Sequence, residues 1–275
     1  MTAFLAGLRR GWIELRQILT SPMQLIGWLF LPAATVVVMY VLRGSTVPGT
    51  TFSLGTQAVP GILAMNVAMT GMLGLAMALT MDREDGTLLR AKATPNGMLG
   101  YVTGKVLAQA GLTVVVLAIV QVAAVLLFDG FAPSWLAVAW MTALGLVATL
   151  PLGAVLGSLF TNAQSLSLVT MLVMGLVVIS GVYYPVTAMP EWLQWVAQVF
   201  PVYWLGLGLR SALLPDALAV AEIGGSWRHL ATAGALGAWV VLGFVLAPAV
   251  LRRMARRESG ASVAARRDRV AQRTA

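Results

Sequence analysis

The sequence predicts an all-α integral membrane protein with six transmembrane helices, and three observations carry that prediction. Apolar residues make up 59% of the 275 positions and charged residues only 10%, against about 25% charged in soluble domains. Six apolar runs recur along the chain, each near the roughly 20 residues needed to cross a bilayer. The remaining charges gather between and beyond those runs: eight of the 18 Lys and Arg residues follow Leu251, three precede Pro22 and four lie in the stretch 82–105. The formal net charge of +8 is therefore a basic edge on a hydrophobic body, which fits a membrane surface and its lipids rather than a nucleic acid. Cysteine is absent and His229 is the only histidine, so neither a disulfide, a thiolate site nor a two-histidine metal motif is available, and no metal centre is expected.

Residues 1–22 open the chain with an amphipathic helix. At helical spacing Phe4, Leu5, Leu8, Trp12, Leu15 and Leu19 share one stripe, with Arg9, Arg10, Glu14, Arg16 and Gln17 opposite. Ile13 falls on the polar side and breaks the pattern. A Trp/Leu stripe backed by arginines predicts a helix lying in the membrane interface. The spans follow at about Met23–Leu42, Gln57–Met81, Val106–Phe128, Ser134–Phe160, Ser165–Tyr184 and Leu230–Leu251. Pro32 is a kink candidate in the first, and Pro151 and a Gly153-Ala-Val-Leu-Gly157 spacing sit in the fourth, the latter a weak helix-packing signal in a chain with 28 glycines. Residues 43–56 and 129–133 read as loops, and Thr161–Gln164 as a minimal turn.

Residues 185–228 are punctuated by Pro185, Pro190, Pro201 and Pro215 and carry Trp192, Trp195, Tyr203 and Trp204 as interfacial aromatics. Segments 190–200 and 202–214 are too short to cross, so they read as two half-helices dipping into the outer leaflet or lying on it. Residues 252–275 form an Arg- and Ala-rich tail, expected to lack order beyond Glu258. Six spans put both termini on one side. With the termini inside, fifteen Lys and Arg lie inside and three outside, which orients both termini to the cytosol.

The stretch Asp82–Lys105 is the densest charge cluster between the first and last spans, holding Asp82, Arg83, Glu84, Asp85, Arg90, Lys92 and Lys105. Such an island must emerge into water. Asp85-Gly86 signals a turn, Thr87 is an N-cap candidate for a short helix Leu88–Ala91, and Thr94-Pro95-Asn96-Gly97 breaks the chain again. The pattern predicts a short cytosolic helix offered to a soluble partner.

Much chemistry is missing. Gly104-Lys105 lacks the glycine at 99 and the Ser/Thr at 106 that a phosphate-binding loop requires, and there is neither an HExxH nor a GxSxG motif, so the chain is not expected to be an enzyme or to hold a cofactor. The six spans as drawn contain no ionisable residue, whereas ion-coupled carriers usually need one near the midplane. Energy is therefore expected through the charged stretch from a separate chain. A stand-alone secondary carrier or channel is the alternative, since broken helices can bind sodium through carbonyls alone. Asn66, Thr70, Gln109 and Thr149 are the polar members of the spans that read as interhelical hydrogen-bonding groups or, as the rival reading, as the lining of a path.

Three stretches carry a family resemblance: Arg83-Glu84-Asp85-Gly86-Thr87-Leu88-Leu89-Arg90 with Thr94-Pro95 and Gly104-Lys105; Ser180-Gly181-Val182-Tyr183-Tyr184-Pro185 continuing to Met189-Pro190-Glu191-Trp192-Leu193-Gln194; and Pro201-Val202-Tyr203-Trp204 through Leu209-Arg210. In this order they resemble the type-2 family of ABC transporter permeases, in particular daunorubicin-resistance-like exporter subunits, over about residues 12–251. The resemblance implies a bacterial cell-membrane exporter of two permease chains and two ABC ATP-binding subunits, with ATP and Mg on those partners. Glu84, Asp85, Gly86, Thr87, Leu88 and Arg90 would form the coupling helix, and the helix with Arg9, Trp12 and Arg16 the connecting helix. Tyr184, Pro185, Pro190, Trp192, Pro201, Tyr203 and Trp204 would belong to an extracellular re-entrant hairpin before the last span. The tail after Arg253 has no counterpart in that family pattern.

Overall fold

A computed structural model describes residues 3–46, 53–160, 163–183 and 185–257. Among these the chain is helical throughout, and the only β-pairing is a single bridge between Thr46 and Ser53. Tyr184, residues 47–52 and 161–162, and the tail from Glu258 lie outside the described residues.

The bundle is built around one long helical stretch. It comprises α3 (Leu54–Asn66), a π-helical segment Val67–Leu73 and α4 (Gly74–Glu84). Its composition explains its place: Gly, Ala and Met dominate, so neighbouring backbones approach closely on every side. Nearly all its residues from Gly55 to Ala76 are buried. Ser53 is its N-cap, its hydroxyl accepting from the Gly55 N–H at 3.1 Å, and the helix begins at Leu54, three residues earlier than the sequence suggests.

Around this axis stand α2 (Pro22–Val41), α6 (Gly97–Leu127), α7 (Trp135–Leu159), the short α10 (Pro201–Leu213) and α11 (His229–Arg257). Pro22 sits in the first turn of α2, where no N–H is missed, and Pro32 lies buried within it. The fourth span's glycines are packing residues: a Cβ on Gly157 would meet the Ala76 carbonyl oxygen at 2.7 Å, and one on Gly153 would run into that of Met72. The weak spacing signal is thus an intimate α7–α4 seam.

Among the described residues, five helices are long and apolar enough to cross a membrane: α2 with its last turn, the axial stretch 54–84, α6, α7 and α11. The expected fifth span corresponds to α8 (Ala163–Ile179), which has 17 residues and falls short of that length. A turn follows at Ser180–Gly181, where Gly181 takes φ 71 and ends the helix. Among the described residues, five of the six expected spans thus reach spanning length, and the fifth is the shorter apolar helix α8.

The amphipathic start is α1 (Ala3–Thr20), and it packs along the first turns of α6. Gly7 and Gly11 meet Gly100 and Gly104: a Cβ on Gly7 would lie 2.6 Å from the Gly100 oxygen and one on Gly11 2.5 Å from the Gly104 oxygen. Leu15 continues the seam and is buried, although the sequence groups it with Trp12. Phe4, Leu5 and Trp12 stay exposed, which leaves an apolar stripe free. Two four-residue glycine spacings facing each other set this contact, and it is possible because α6 begins nine residues before the expected start of the third span.

A glycine at such a contact is replaceable only at a cost. Gly157→Ala is expected to lower stability by about 1–3 kcal/mol, as overpacking does. Gly175→Ala, on α8 with nothing within 4 Å of the added Cβ, is expected to be neutral or slightly stabilising. Thermal unfolding of the detergent-purified chain, followed by loss of the monodisperse species, compares the two.

Candidate functional site

The charged stretch is more ordered than a loop. Helix α4 carries through Glu84, α5 (Thr87–Lys92) follows after one tight corner, and α6 starts at Gly97. The corner is Gly86 at φ 74, which occupies the N-cap position, so Thr87 is the first helical residue and not the cap. Its hydroxyl instead accepts from Arg90 Nη2 at 2.9 Å. The second corner is Asn96, also left-handed at φ 54. Thr94 donates to the Ala91 carbonyl at 2.9 Å and closes the end of α5.

One side of α5 is anchored. Leu88 and Ala91 are buried in an apolar cluster with Leu79 of α4, Tyr101 of α6, Leu150 of α7 and Met254 of α11. The other side, with Asp85, Arg90 and Lys92 through Asn96, is exposed. A six-residue helix has little stability of its own; this one is held against α4 and α6, inside an apolar cluster to which α7 and α11 also contribute. It is a short rigid protrusion whose displacement must move those helices.

Charged side chains reinforce the same end. Lys105 of α6 is buried and binds Glu14 of α1 at 2.6 Å and Asp82 of α4 at 2.9 Å. Arg83 is buried too and donates through Nη1 to the carbonyls of Ser158 at 3.2 Å and Phe160 at 2.8 Å, satisfying the open C-terminus of α7. These four residues join α1, α4, α6 and α7. Arg10 lies over the Tyr101 ring with its guanidinium 5.1 Å from the centroid. Arg9, Trp12 and Arg16 lie on exposed faces of α1.

The polar residues of the spans converge at the π-helical segment. Asn66, Thr70, Gln109 and Thr149 are all buried. Thr70 donates to Asn66 Oδ1 at 3.3 Å, Gln109 Nε2 donates to the Thr70 carbonyl, and Thr149 donates to the Gly145 carbonyl at 2.8 Å. Thr113 joins them by donating to the Gln109 carbonyl at 2.8 Å. Of these bonds only that of Gln109 crosses from α6 to the axial stretch; the others stay within their own helical stretches.

At the opposite end, α9 (Glu191–Val199) and α10 meet at the Phe200–Pro201 corner. Trp192 and Trp195 are exposed, and Pro190 is exposed ahead of them. Tyr203 and Trp204 are not interfacial: they are 0% and 6% exposed, as α10 is enclosed by α3, α7 and α11. Pro201 begins that helix and is buried, as is Pro185. Trp204 donates through its indole to the Gln198 carbonyl at 2.6 Å, and Arg228 donates to Gln198 Oε1 at 2.8 Å while lying over the Trp204 ring. Tyr184 lies outside the described residues.

The interior is also less free of charge than the sequence suggests. Arg210 and Glu222, 2% and 1% exposed, pair at 2.6 Å, and Arg210 Nη1 donates to the Gly181 carbonyl at 3.1 Å. Arg210 thus ties α10 to the turn after α8 and to the segment before α11. Sequence reading places it on the outer surface, because the Glu twelve positions on gives no helical spacing by which to pair them. Lys105 and Glu14 escape notice for the same reason, 91 residues apart; the matching Gly7/Gly11 and Gly100/Gly104 spacings are the signal that could have brought their helices together.

Removing one partner of a buried pair strands the other. Arg210→Met and Glu222→Leu are each expected to cost about 3–5 kcal/mol, and the double variant less than the sum of the two. A double-mutant cycle on thermal stability measures the coupling, and additive losses would contradict it.

The chain also matches known proteins at the level of family. No curated protein matches it. A family described as ABC-2 family transporter protein matches residues 17–248, from the last turn of α1 to the last third of α11. That span takes in the anchored α5, the axial stretch and both short helices at the opposite end, and with the long apolar helices it establishes that the chain is a multi-pass membrane protein belonging to the ABC-2 transporter family.

Proposed function

We infer the role of this chain from its family, whose members are transmembrane subunits, generally not catalytic themselves, that normally pair with an ABC ATPase. We propose that this chain is the permease of an ATP-driven exporter that moves a hydrophobic or amphipathic substrate, such as a drug, lipid or polyketide-like molecule, out of a bacterial cell, with ATP and Mg bound on the partner. The observation that carries the reading is α5, exposed on one side and packed on the other against α4 and α6, in a cluster that reaches α7 and α11. An ATPase that grips Glu84, Asp85, Thr87 and Arg90 and shifts α5 would shift the bundle with it, which is how a chain without its own nucleotide site can be driven.

In this reading the α5 end faces the cytosol, as the excess of Lys and Arg on that side favours. Both termini then lie in the cytosol and Trp192 and Trp195 face outward, at the level where aromatics anchor in a bilayer. A second permease chain, identical or related, completes the transport path, and the four polar residues at the π-helical segment serve packing.

The test is coupling. Replacing Glu84 and Arg90 together with Ala is expected to leave insertion intact while ATP hydrolysis by the co-expressed ATP-binding subunit proceeds without export, measured in inverted vesicles. Normal export by the double variant would remove α5 from the mechanism. Export that persists without the ATPase and collapses with the ion gradient would establish a secondary carrier instead.

A further inference from the structure

A groove of about 840 Å³ runs beside α1, against the end of α4. It is of the size that holds a small molecule or a headgroup. Arg9 and Arg10 line it from α1, and Asp82 and Asp85 line it from the end of α4, with Glu14 between. Lys105 touches two of these carboxylates from below. The site therefore gathers three positive and three negative charges and is neutral as a whole. Arg9 and Asp85 are exposed, and neither side chain has a hydrogen-bond or ion-pair partner among the described residues.

The groove also borders apolar surface. Ile13, the residue that breaks the amphipathic pattern, lines it and is 48% exposed. Gln24 lines it from the first turn of α2, next to Met23 and Ile26, which are 82% and 61% exposed. In a membrane protein such exposed side chains lie against lipid tails. Polar groups of both signs thus sit directly beside a surface for hydrocarbon.

We propose that this groove binds the headgroup of a phosphoethanolamine phospholipid. The phosphate meets Arg9 and Arg10, since guanidinium forks suit phosphate oxygens. The primary ammonium donates to Asp85 and Asp82, and the tails run along Ile13, Met23 and Ile26. Neutrality selects the headgroup: an anionic glycerol head would satisfy Arg9 with its phosphate but bring no cation to offset Asp85, and a choline head has no N–H to donate to either carboxylate. The lipid would brace α1 against the end of α4 beside α5, a role beyond the docking reading above.

The experiment is native mass spectrometry of the full chain in nonionic detergent, titrated with dioleoyl lipids bearing ethanolamine, choline or glycerol heads. The ethanolamine lipid is expected to bind about tenfold more tightly than either other lipid, the discrimination a charged hydrogen bond supplies. Asp85→Asn is expected to erase its advantage over the choline lipid, and Arg9→Gln to weaken all three. Both residues are exposed, so the variants should keep the parent's thermal midpoint, which is measured in parallel. Equal retention of the three lipids, preference for the glycerol head, or a preference that survives Asp85→Asn would overturn the assignment. Soluble phosphoethanolamine is expected to leave bound lipid in place; displacement would assign the groove to a soluble amine phosphate. The assay contains no ATPase, so its outcome is independent of the role of α5. If Arg9→Gln abolished co-purification of the ATP-binding subunit and left lipid binding unchanged, the groove would be a protein-docking surface and the lipid assignment would fall.

Discussion

Close approach of helices through glycine is the constraint on which the rest of this molecule depends. In hydrocarbon there is no water to drive apolar helices together, so contact relies on fit between backbones. Gly153 and Gly157 bring α7 onto the axial stretch at Met72 and Ala76, and Gly7 and Gly11 bring α1 onto α6 at Gly100 and Gly104. Gly61 allows the turn at Val182 to press on α3. Remove these contacts and neither the axial helix is enclosed nor is α1 held where Glu14 can reach Lys105.

Those contacts decide where charge can be buried. Lys105 satisfies Glu14 and Asp82 together, and Arg83 satisfies the carbonyls that α7 leaves open at its end. A buried pair is not in itself a strong source of stability, because desolvation offsets most of the attraction. Its value here is directional: the partners must keep register, so α1, α4, α6 and α7 move as a unit near α5. At the other end Arg210 and Glu222 fix α10 to the segments on either side. The protein thus has a stiff connection at each end and, between them, a π-helical segment that contains Gly71 and ends at Gly74. Segments of this kind occur at functional positions in helices more often than elsewhere.

Some of this was legible in the sequence, and the reasons are physical. Hydrocarbon excludes ions, so a run holding seven charged residues had to mark an aqueous boundary, and the glycine and proline around it had to mark corners. Asn96 and Gly86 are those corners. Long apolar runs gave the spanning helices for the same reason. What stayed hidden was partner choice. Trp204 and Tyr203 look interfacial because aromatics with polar tips favour that level, yet burial against α3, α7 and α11 serves equally well once Gln198 accepts the indole N–H. The sequence puts the start of the third span after Lys105 because that residue reads as solvated; only the glycine seam with α1, which brings Glu14 alongside, makes it a buried helical residue. The π-helical segment has no sequence mark at all.

The central claim is that α5 is the point where a partner's work enters the bundle. The chain has no native cysteine, so a single introduced thiol reports one position. Arg90→Cys on α5 and Trp192→Cys on α9 should each be placed in the purified complex with the ATP-binding subunit and treated with a short thiol-to-amine cross-linker. The account predicts a cross-link to the ATPase from position 90 and none from position 192. No cross-link from 90, or one from 192 alone, would contradict it.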